Sequence, residues 1–143
     1  MEFNRLIPEL GVADFATSLA FYTEILGFQV DYQRPEQLFA FLSYQGSQVM
    51  LEQVNTVWKT GALTYPFGRG LNLQILVDDL EELLMSLRIH RYPLLVEPEE
   101  RWYRKERLLV GQRQLLVQDP DGYLLRFAQP LGTKPSEEPG TSG

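Results

Sequence analysis

The sequence contains no cysteine and only one histidine among its 143 residues. Without cysteine there can be no disulfide bond, thiolate nucleophile or zinc–thiolate site, and a reducing cytoplasm suits such a chain. The histidine, His90, follows a helical pattern among basic residues, which predicts a surface position near a helix C-terminus. A Ser-His-Asp triad would need a serine in a Gly-x-Ser-x-Gly elbow, which the sequence lacks, as it lacks a glycine-rich phosphate loop. We therefore assign no catalytic residue.

Basic residues are in the minority, since 13 lysines and arginines stand against 19 aspartates and glutamates, for a net charge of −6. This balance argues against a nucleic-acid partner, because binding through counterion release needs a basic surface, and it favours a neutral or cationic partner. No apolar run approaches the roughly 20 residues of a membrane-spanning helix, so we expect no membrane insertion. The N-terminus lacks the pattern of a signal peptide. We expect a cytoplasmic protein.

An internal repeat organises the chain. The stretch LGVADF at 10–15 is similar to ILVDDL at 75–80, 65 residues later. Both end a strand-like alternation, and Asp14 and Asp79 stand where a helix N-cap would accept hydrogen bonds from free helix amides. Apolar residues recur at helical spacing after each aspartate. The repeat therefore predicts two short strands, each followed by a helix.

Three strand-like stretches follow each predicted helix: 28–34, 38–44 and 48–53 in the first half, and 94–103, 112–118 and 123–128 in the second. The chain thus reads as two tandem β-α-β-β-β modules, at about 4–54 and 70–129, joined by a linker at 55–69. We predict an α+β fold with a single domain at 1–131. The polar stretch 132–143 has no apolar periodicity and predicts a disordered tail.

Side chains alternate between the two faces of a strand, so each predicted strand presents two sets. One set is uniformly apolar and must pack on the helices. The other set mixes charged and amide side chains with apolar ones and contains Ile7, Glu9, Glu52, Asn72, Gln74 and Arg126. By parity alone, this mixed face is either the solvated back of an antiparallel sheet or the lining of a pocket.

Several motifs on this frame resemble one family. They are Pro8–Asp14, the spacing of Phe21-Tyr22 from Leu26–Phe28, and Gly111–Gln114 leading into Asp119–Tyr123. Together they are similar to the glyoxalase/bleomycin-resistance group of the vicinal oxygen chelate superfamily, over about residues 6–129. The resemblance implies a curved, mostly antiparallel sheet around a ligand cavity, with helices on the convex face, usually completed by dimerisation.

The resemblance also points to where a metal would lie. Metal-dependent members carry ligands at four inward positions, which here fall on Ile7, Glu52, Asn72 and Arg126. Only Glu52 is a good ligand, because Ile7 has no donor atom, an amide is a poor ligand, and the charge of Arg126 repels a divalent cation. We expect neither a glyoxalase-type metal site nor another cofactor.

The non-metal branch of the family sequesters bulky, cationic, aromatic antibiotics of the bleomycin type without modifying them. The resemblance of this chain to that branch implies a homodimer with composite pockets. Pro8 matches a proline that lies at the hinge of an exchanged first strand in that branch, although strand exchange itself stays open. Asp31-Tyr32 matches an acidic–aromatic pair that the branch presents to its ligand. We expect the small-molecule ligand to contact Asp31, Tyr32, Phe39, Phe41, Glu52, Asn72, Gln74, Trp102, Tyr103 and Arg126.

Several of these residues admit a second interpretation. Phe39 and Phe41 share a strand face and are either core or pocket residues. The stretch 102–103 is amphipathic and suits either a lid over the ligand or a dimer interface. Glu52 and Arg126 are candidates for an ion pair across the cavity, at the place of the family's metal.

Two other functions stay open at this point. One is a metal-dependent lyase or dioxygenase-type enzyme with an atypical oxygen-ligand site, in which Glu9, Glu52 and Asn72 hold a hard cation such as Mg²⁺ or Mn²⁺. The other is a module that binds a protein partner through exposed aromatic side chains of the linker, such as Trp58, and around Trp102.

Overall fold

The computed structural model describes residues 2–55 and 59–136, so that Trp58 lies outside the described residues. Within that part, each predicted module has one helix and four strands. The elements of the first module are β1 (Glu9–Val12), α1 (Phe15–Ala20) with a π-helical turn (Phe21–Ile25), β2 (Gln29–Arg34), a 3₁₀ turn (Pro35–Gln37), β3 (Phe39–Tyr44) and β4 (Ser47–Gln53). Those of the second are β5 (Asn72–Leu76), α2 (Leu80–Ile89), β6 (Val96–Lys105), β7 (Leu108–Gln118) and β8 (Leu124–Pro135).

Both helices begin at the predicted aspartates. The Asp14 carboxylate accepts a hydrogen bond from the Thr17 amide at 3.3 Å, and the Asp79 carboxylate accepts one from the Glu81 amide at 2.9 Å. These bonds satisfy amides that have no partner inside the helix. Exposed His90 is the C-cap of α2, as its sequence context predicts. No helix of the described residues has the length and apolar character to cross a membrane.

The strands form two separate four-stranded sheets, one from each module. Sheet 1 has the order β1-β4-β3-β2 and sheet 2 the order β5-β8-β7-β6. Strand β1 runs parallel to β4, and β5 runs parallel to β8. The other neighbouring strands are antiparallel. This topology confirms the predicted α+β fold. Strand β1 pairs with β4, with Leu10 opposite Leu51.

The two modules share one apolar core. One face of sheet 1 contributes residues such as Leu42 and Leu51, and one face of sheet 2 contributes residues such as Leu125 and Phe127. Both helices add their apolar sides to the same core. Because each sheet turns one face inward, its other face points away from the core. These outer faces carry the mixed side chains.

A turn of the second module is held by the first module. The Tyr22 hydroxyl donates to the Asp119 carboxylate at 2.7 Å, and the Asp121 carboxylate accepts from the Ala13 amide at 3.2 Å and from the Ser18 hydroxyl at 3.4 Å. Burial raises the pKa of both carboxyl groups, that of Asp119 to about 6. The Asp119–Gly122 motif therefore joins the modules.

Strands β7 and β8 are longer than predicted, and β8 extends into the predicted tail. Residues 132–135 continue β8 and pair with 108–111 of β7, so the stretch 132–143 does not begin as a disordered segment. Residues 137–143 lie outside the described part of the chain. Residues 132–135 have no apolar periodicity and include Gly132 and Pro135. Their pairing with β7, rather than their own sequence, explains why they are extended.

Candidate ligand-binding site

Aromatic side chains cover the outer face of sheet 1. Tyr32 stacks on Phe41 with the ring centroids 5.2 Å apart and the rings 11° from parallel. The guanidinium of Arg34 lies 3.9 Å from the ring centroid of Phe39. Phe39 and Phe41 are only 2% and 1% exposed, yet neither belongs to the shared core. They form the floor of an aromatic layer, with Tyr32 as its more accessible member.

The N-terminal segment 2–5 adds a cover to this layer. Phe3 meets Phe41 edge-on, with centroids 5.3 Å apart and an interplanar angle of 85°. The Asn4 amide donates to Oε1 of Gln48 at 2.6 Å, and its side chain donates to the Gly46 carbonyl at 2.9 Å. These long-range contacts seat Phe3 over the aromatic floor, a role that no local pattern indicates.

A β-bulge brings Asp31 to the same face as Tyr32. The register of β2 against β3 shifts between Val30 and Tyr32, so Asp31 is the extra residue. Its carboxylate accepts a hydrogen bond from the Ser43 hydroxyl at 3.0 Å. Ser43 shares the strand face of Phe41, on which Tyr32 stacks. The predicted acidic–aromatic pair therefore lies together on the outer face.

Two glutamates complete this face at its β1 edge. Glu9 and Glu52 line a small cavity of about 40 Å³, together with Lys59. Burial raises the pKa of Glu9, and the neighbouring Glu52 carboxylate raises it further, while Arg34 acts in the opposite direction. The Asn55 side-chain amide donates to Glu52. We call Glu9, Asp31, Tyr32, Phe39, Phe41 and Glu52 the acidic aromatic face.

Amide side chains dominate the outer face of sheet 2. Gln112 donates to the side-chain oxygens of Gln114 at 2.5 Å and of Gln74 at 3.3 Å, and Gln114 donates to the Tyr103 hydroxyl at 2.9 Å. A cavity of about 420 Å³ opens on this face. Its lining consists of Asn72, Val96, Glu99, Arg101, Tyr103, Gln114, Leu116, Leu124 and Arg126. We call this surface the amide face.

Arg126 is the exception among these satisfied groups. Its Nε atom is buried and has no hydrogen-bond partner within the described residues. The one carboxylate of the cavity lining, Glu99, accepts instead from Arg101 at 3.0 Å. A cationic side chain without an ion-pair partner among the described residues therefore lines the cavity.

Trp102 lies apart from the other predicted site residues. Consecutive strand residues point to opposite faces, so Trp102 and Tyr103 are on different sides of β6. The Trp102 ring lies against Gly111, with the Lys134 amine 4.1 Å from its centroid, and its indole N–H donates to Glu100 at 2.7 Å. Within one chain, Trp102 thus packs the extended ends of β6, β7 and β8 together.

The predicted site residues consequently fall into two groups on different sheets. Glu52 lies on the acidic aromatic face, whereas Asn72, Gln74, Tyr103 and Arg126 lie on or beside the amide face. An ion pair between Glu52 and Arg126 is absent from the described part of the chain, where the ion pairs are Arg88–Glu97, Arg101–Glu99 and Arg113–Glu81. A single chain does not bring Glu52 and Arg126 together, because the shared core separates the sheets.

The residues at the family's metal positions do not fit a metal. Glu52 lies on sheet 1 and Asn72 on sheet 2, and they line different cavities. Arg126 lines the same cavity as Asn72. Its guanidinium would repel a divalent cation bound there. Among residues 2–55 and 59–136, no three carboxylates or histidines are grouped as a metal site requires.

Sequence reasoning missed several residues of these faces. Phe3 and Arg34 cover the aromatic floor through contacts that only the folded chain shows. Gln112 and Gln114 were detectable, since they alternate with apolar residues of β7 and thus share the face of the mixed set.

Comparisons with known proteins agree with this architecture. A model of the Glyoxalase/Bleomycin resistance protein/Dioxygenase superfamily matches residues 4–127. The comparison with curated proteins gave no match.

Several solved structures are similar to this chain. A superfamily member from Vibrio splendidus 12B01 is 34% identical, with 86% of this chain and 95% of that chain covered and a TM-score of 0.41. TioX from Micromonospora sp. ML1 is 19% identical, with 90% and 100% covered and a TM-score of 0.70. Lactoylglutathione lyase from Agrobacterium tumefaciens is 15% identical, with 90% and 96% covered and a TM-score of 0.58. Because the family model matches residues 4–127, the chain belongs to the glyoxalase/bleomycin resistance protein/dioxygenase superfamily.

Proposed function

We propose that this protein binds a small molecule of the bleomycin type and sequesters it without catalysis. The observation that carries the proposal is the acidic aromatic face, where Tyr32 stacks over Phe41 and the carboxylates of Asp31 and Glu52 lie around the rings. Flat rings recognise planar ligand groups, and carboxylates attract cationic ones. This combination suits a cationic, aromatic antibiotic.

A homodimer would complete the site. The acidic aromatic face and the amide face point away from the shared core, so only a second copy can set one against the other. In a two-fold dimer, the face of sheet 1 from one copy meets that of sheet 2 from the other, and two equivalent pockets result.

Exposed apolar side chains support this assembly. Leu6, Leu71 and Leu76 are 84%, 50% and 51% exposed, and they lie at or near the edge strands β1 and β5. Edge strands present unpaired backbone groups that a second copy can cover. Apolar side chains clustered at such an edge are typical of an interaction surface.

The mechanism would be capture alone. The described site offers rings, amides, carboxylates and one unpaired guanidinium, but no nucleophile with an adjacent base and no fitting metal-ligand set. Ligand retention would then come from burial between two rigid sheets.

Calorimetry with bleomycin tests the proposal. We expect saturable binding with one bleomycin per chain, and we expect mass spectrometry to recover the antibiotic unchanged. The variant Tyr32→Ala should weaken binding by about tenfold, because an aromatic contact contributes about 1.4 kcal/mol.

Tyr65→Ala is the matched control, since Tyr65 is 62% exposed and lies on neither face. Its affinity should equal that of the wild type. A lack of saturation at high micromolar bleomycin, or chemical alteration of the antibiotic, would reject capture.

The Glu9–Glu52 pair favours one alternative, an enzyme with an oxygen-ligand metal site. The two carboxylates line one cavity, and the Glu52 carboxylate contributes to raising the pKa of Glu9, an effect that a bound cation would oppose. Elemental analysis of protein purified without chelator tests it. Stoichiometric Mg²⁺ or Mn²⁺ that is lost in Glu9→Gln would support the enzyme, and metal-free protein that still binds bleomycin would exclude it.

A further inference from the structure

We propose that Arg126 binds a carboxylate group, so that the ligands of the pocket include ring-bearing molecules with one carboxylate. The inference rests on the proposed binding function and deepens it. The acidic aromatic face then takes the ring and any cationic group, and the amide face takes the anionic group.

The first step is the unsatisfied donor of Arg126. Its Nε is buried, and no hydrogen bond or ion pair of this side chain is found in the part of the chain that the structure describes. A buried donor on a charged group without a partner is costly to the fold. A methionine or glutamine would avoid that cost, so the folded chain alone gives no reason for an arginine here.

The second step is the charge of the cavity. Its lining contains two cations, Arg101 and Arg126, and one anion, Glu99. Glu99 pairs with Arg101 at 3.0 Å, so the charge of Arg126 is not balanced and the cavity lining has a net positive charge. A guanidinium fits a carboxylate with two parallel hydrogen bonds, which gives both affinity and orientation.

The third step is the surroundings of Arg126. Val96, Leu116 and Leu124 make part of the wall apolar, while Asn72 and Gln114 offer neutral amide groups. The cavity volume of about 420 Å³ is within the range of small-molecule sites. An apolar body with a single charged group matches this lining better than a polyanion does.

One competitor for Arg126 is Glu52 of a second copy. In this structure Glu52 already accepts a hydrogen bond from Asn55 and lies beside Glu9. Arg126 pairing with Glu52 would leave the site neutral and would remove any preference for a carboxylate. The two assignments therefore predict opposite results.

The test compares two probes of one shape, 2-naphthoate and 2-naphthamide, by calorimetry or NMR titration on the full chain. We expect the wild type to bind 2-naphthoate at least tenfold more tightly than 2-naphthamide. Arg126→Gln should abolish the preference, and Arg126→Lys should keep part of it. Arg113→Gln, which removes one positive charge at the Glu81 ion pair elsewhere, should leave the preference intact.

Two further variants separate a binding role from a structural one. Arg126→Met should fold with an unchanged or raised Tm, because no hydrogen bond or ion pair with a described residue is lost. Glu52→Gln should keep the at least tenfold preference for 2-naphthoate over 2-naphthamide, because Glu52 is not the partner of Arg126.

Equal binding of the two probes, no binding of either, a preference that survives in Arg126→Gln, or a lowered Tm of Arg126→Met would overturn the assignment. Tenfold stronger 2-naphthoate binding by Glu52→Gln would assign Arg126 to Glu52 of the second copy instead. Failure of bleomycin binding with an intact carboxylate preference would reject antibiotic capture but not the role of Arg126.

Discussion

Asp119 shows how a single buried carboxyl group joins the two modules. It is 2% exposed and accepts hydrogen bonds from the Tyr22 hydroxyl and from the amides of Asp121 and Tyr123. These bonds favour the ionised form, but burial outweighs them and raises the pKa to about 6 from 3.8. The folded chain therefore holds the Asp119 proton more tightly than the unfolded chain does.

This difference in proton binding gives a pH dependence with a definite sign. The contribution of Asp119 to the free energy of unfolding is fully present below pH 3.8 and is lost as the pH rises through 6. The loss amounts to at most about 3 kcal/mol. Urea unfolding of the wild type and of Asp119→Asn from pH 4 to pH 7 should show the wild type losing stability relative to the variant. A difference that is flat, or that grows with pH, would contradict the assignment.

Individual residues differ in how well the sequence predicts them. The caps Asp14 and Asp79 were predictable because a cap acts on amides two or three residues away. The burial of Phe39 and Phe41 on an outer face was not predictable from the sequence, because their cover includes Phe3, which is distant in the sequence. The unpaired state of Arg126 likewise depends on where Glu99 and Arg101 lie, which no local pattern encodes.

At the scale of elements, the turn at Asp119–Gly122 connects the modules through its backbone as well. Gly122 has a φ of +93°, and a Cβ there would lie 2.4 Å from Cβ of Pro66 in the linker. The Phe67 amide donates to the Asp121 carbonyl at 2.8 Å. The linker thus packs directly on this turn and leaves no room for a side chain at 122.

Gly122→Ala should therefore destabilise the protein more than backbone strain alone requires. Gly132→Ala is the matched control, because Gly132 has a similar φ of +99° with open space around it. We expect about 1 kcal/mol for Gly132→Ala and at least about 1 kcal/mol more for Gly122→Ala, measured by urea unfolding. Equal losses would show that the linker does not pack on the turn.

The end of β8 gives a second test at this scale. Residues 132–135 pair with 108–111, and Lys134 covers the Trp102 ring. A chain that ends at 131 should lose amide protection in 108–111 by hydrogen exchange, whereas a chain that ends at 136 should keep it. If both truncated chains exchange alike, residues 132–135 do not belong to the strand.

The sequence predicts the number and order of the strands, but not the lengths of β7 and β8. The predicted starts of β2, β3 and β4 differ from the observed ones by one residue, and their ends agree. The ends of β6, β7 and β8 carry charged and polar residues, such as Arg104 and Lys134, and are extended because they pair with one another.

At the scale of the whole molecule, the repeat predicts two modules but not how they face each other. The shared core places the acidic aromatic face and the amide face on different sides, which separates Glu52 from Arg126. A pocket that uses both faces thus requires a second copy. The two-module fold was predictable from local motifs, whereas the arrangement of the modules depends on long-range packing.

The most direct test of the composite pocket is a mixed dimer. Tyr32→Ala damages the acidic aromatic face and Tyr103→Ala damages the amide face, so a site inside one chain would be damaged in both variants. The two variants are co-expressed with different affinity tags, and the dimer that carries both tags is titrated with bleomycin. In that dimer one of the two pockets combines the intact faces, so we predict about half of the wild-type stoichiometry at wild-type affinity, while each variant alone binds weakly. A mixed dimer that binds no better than the single variants, or a chain that never forms one, would contradict the account.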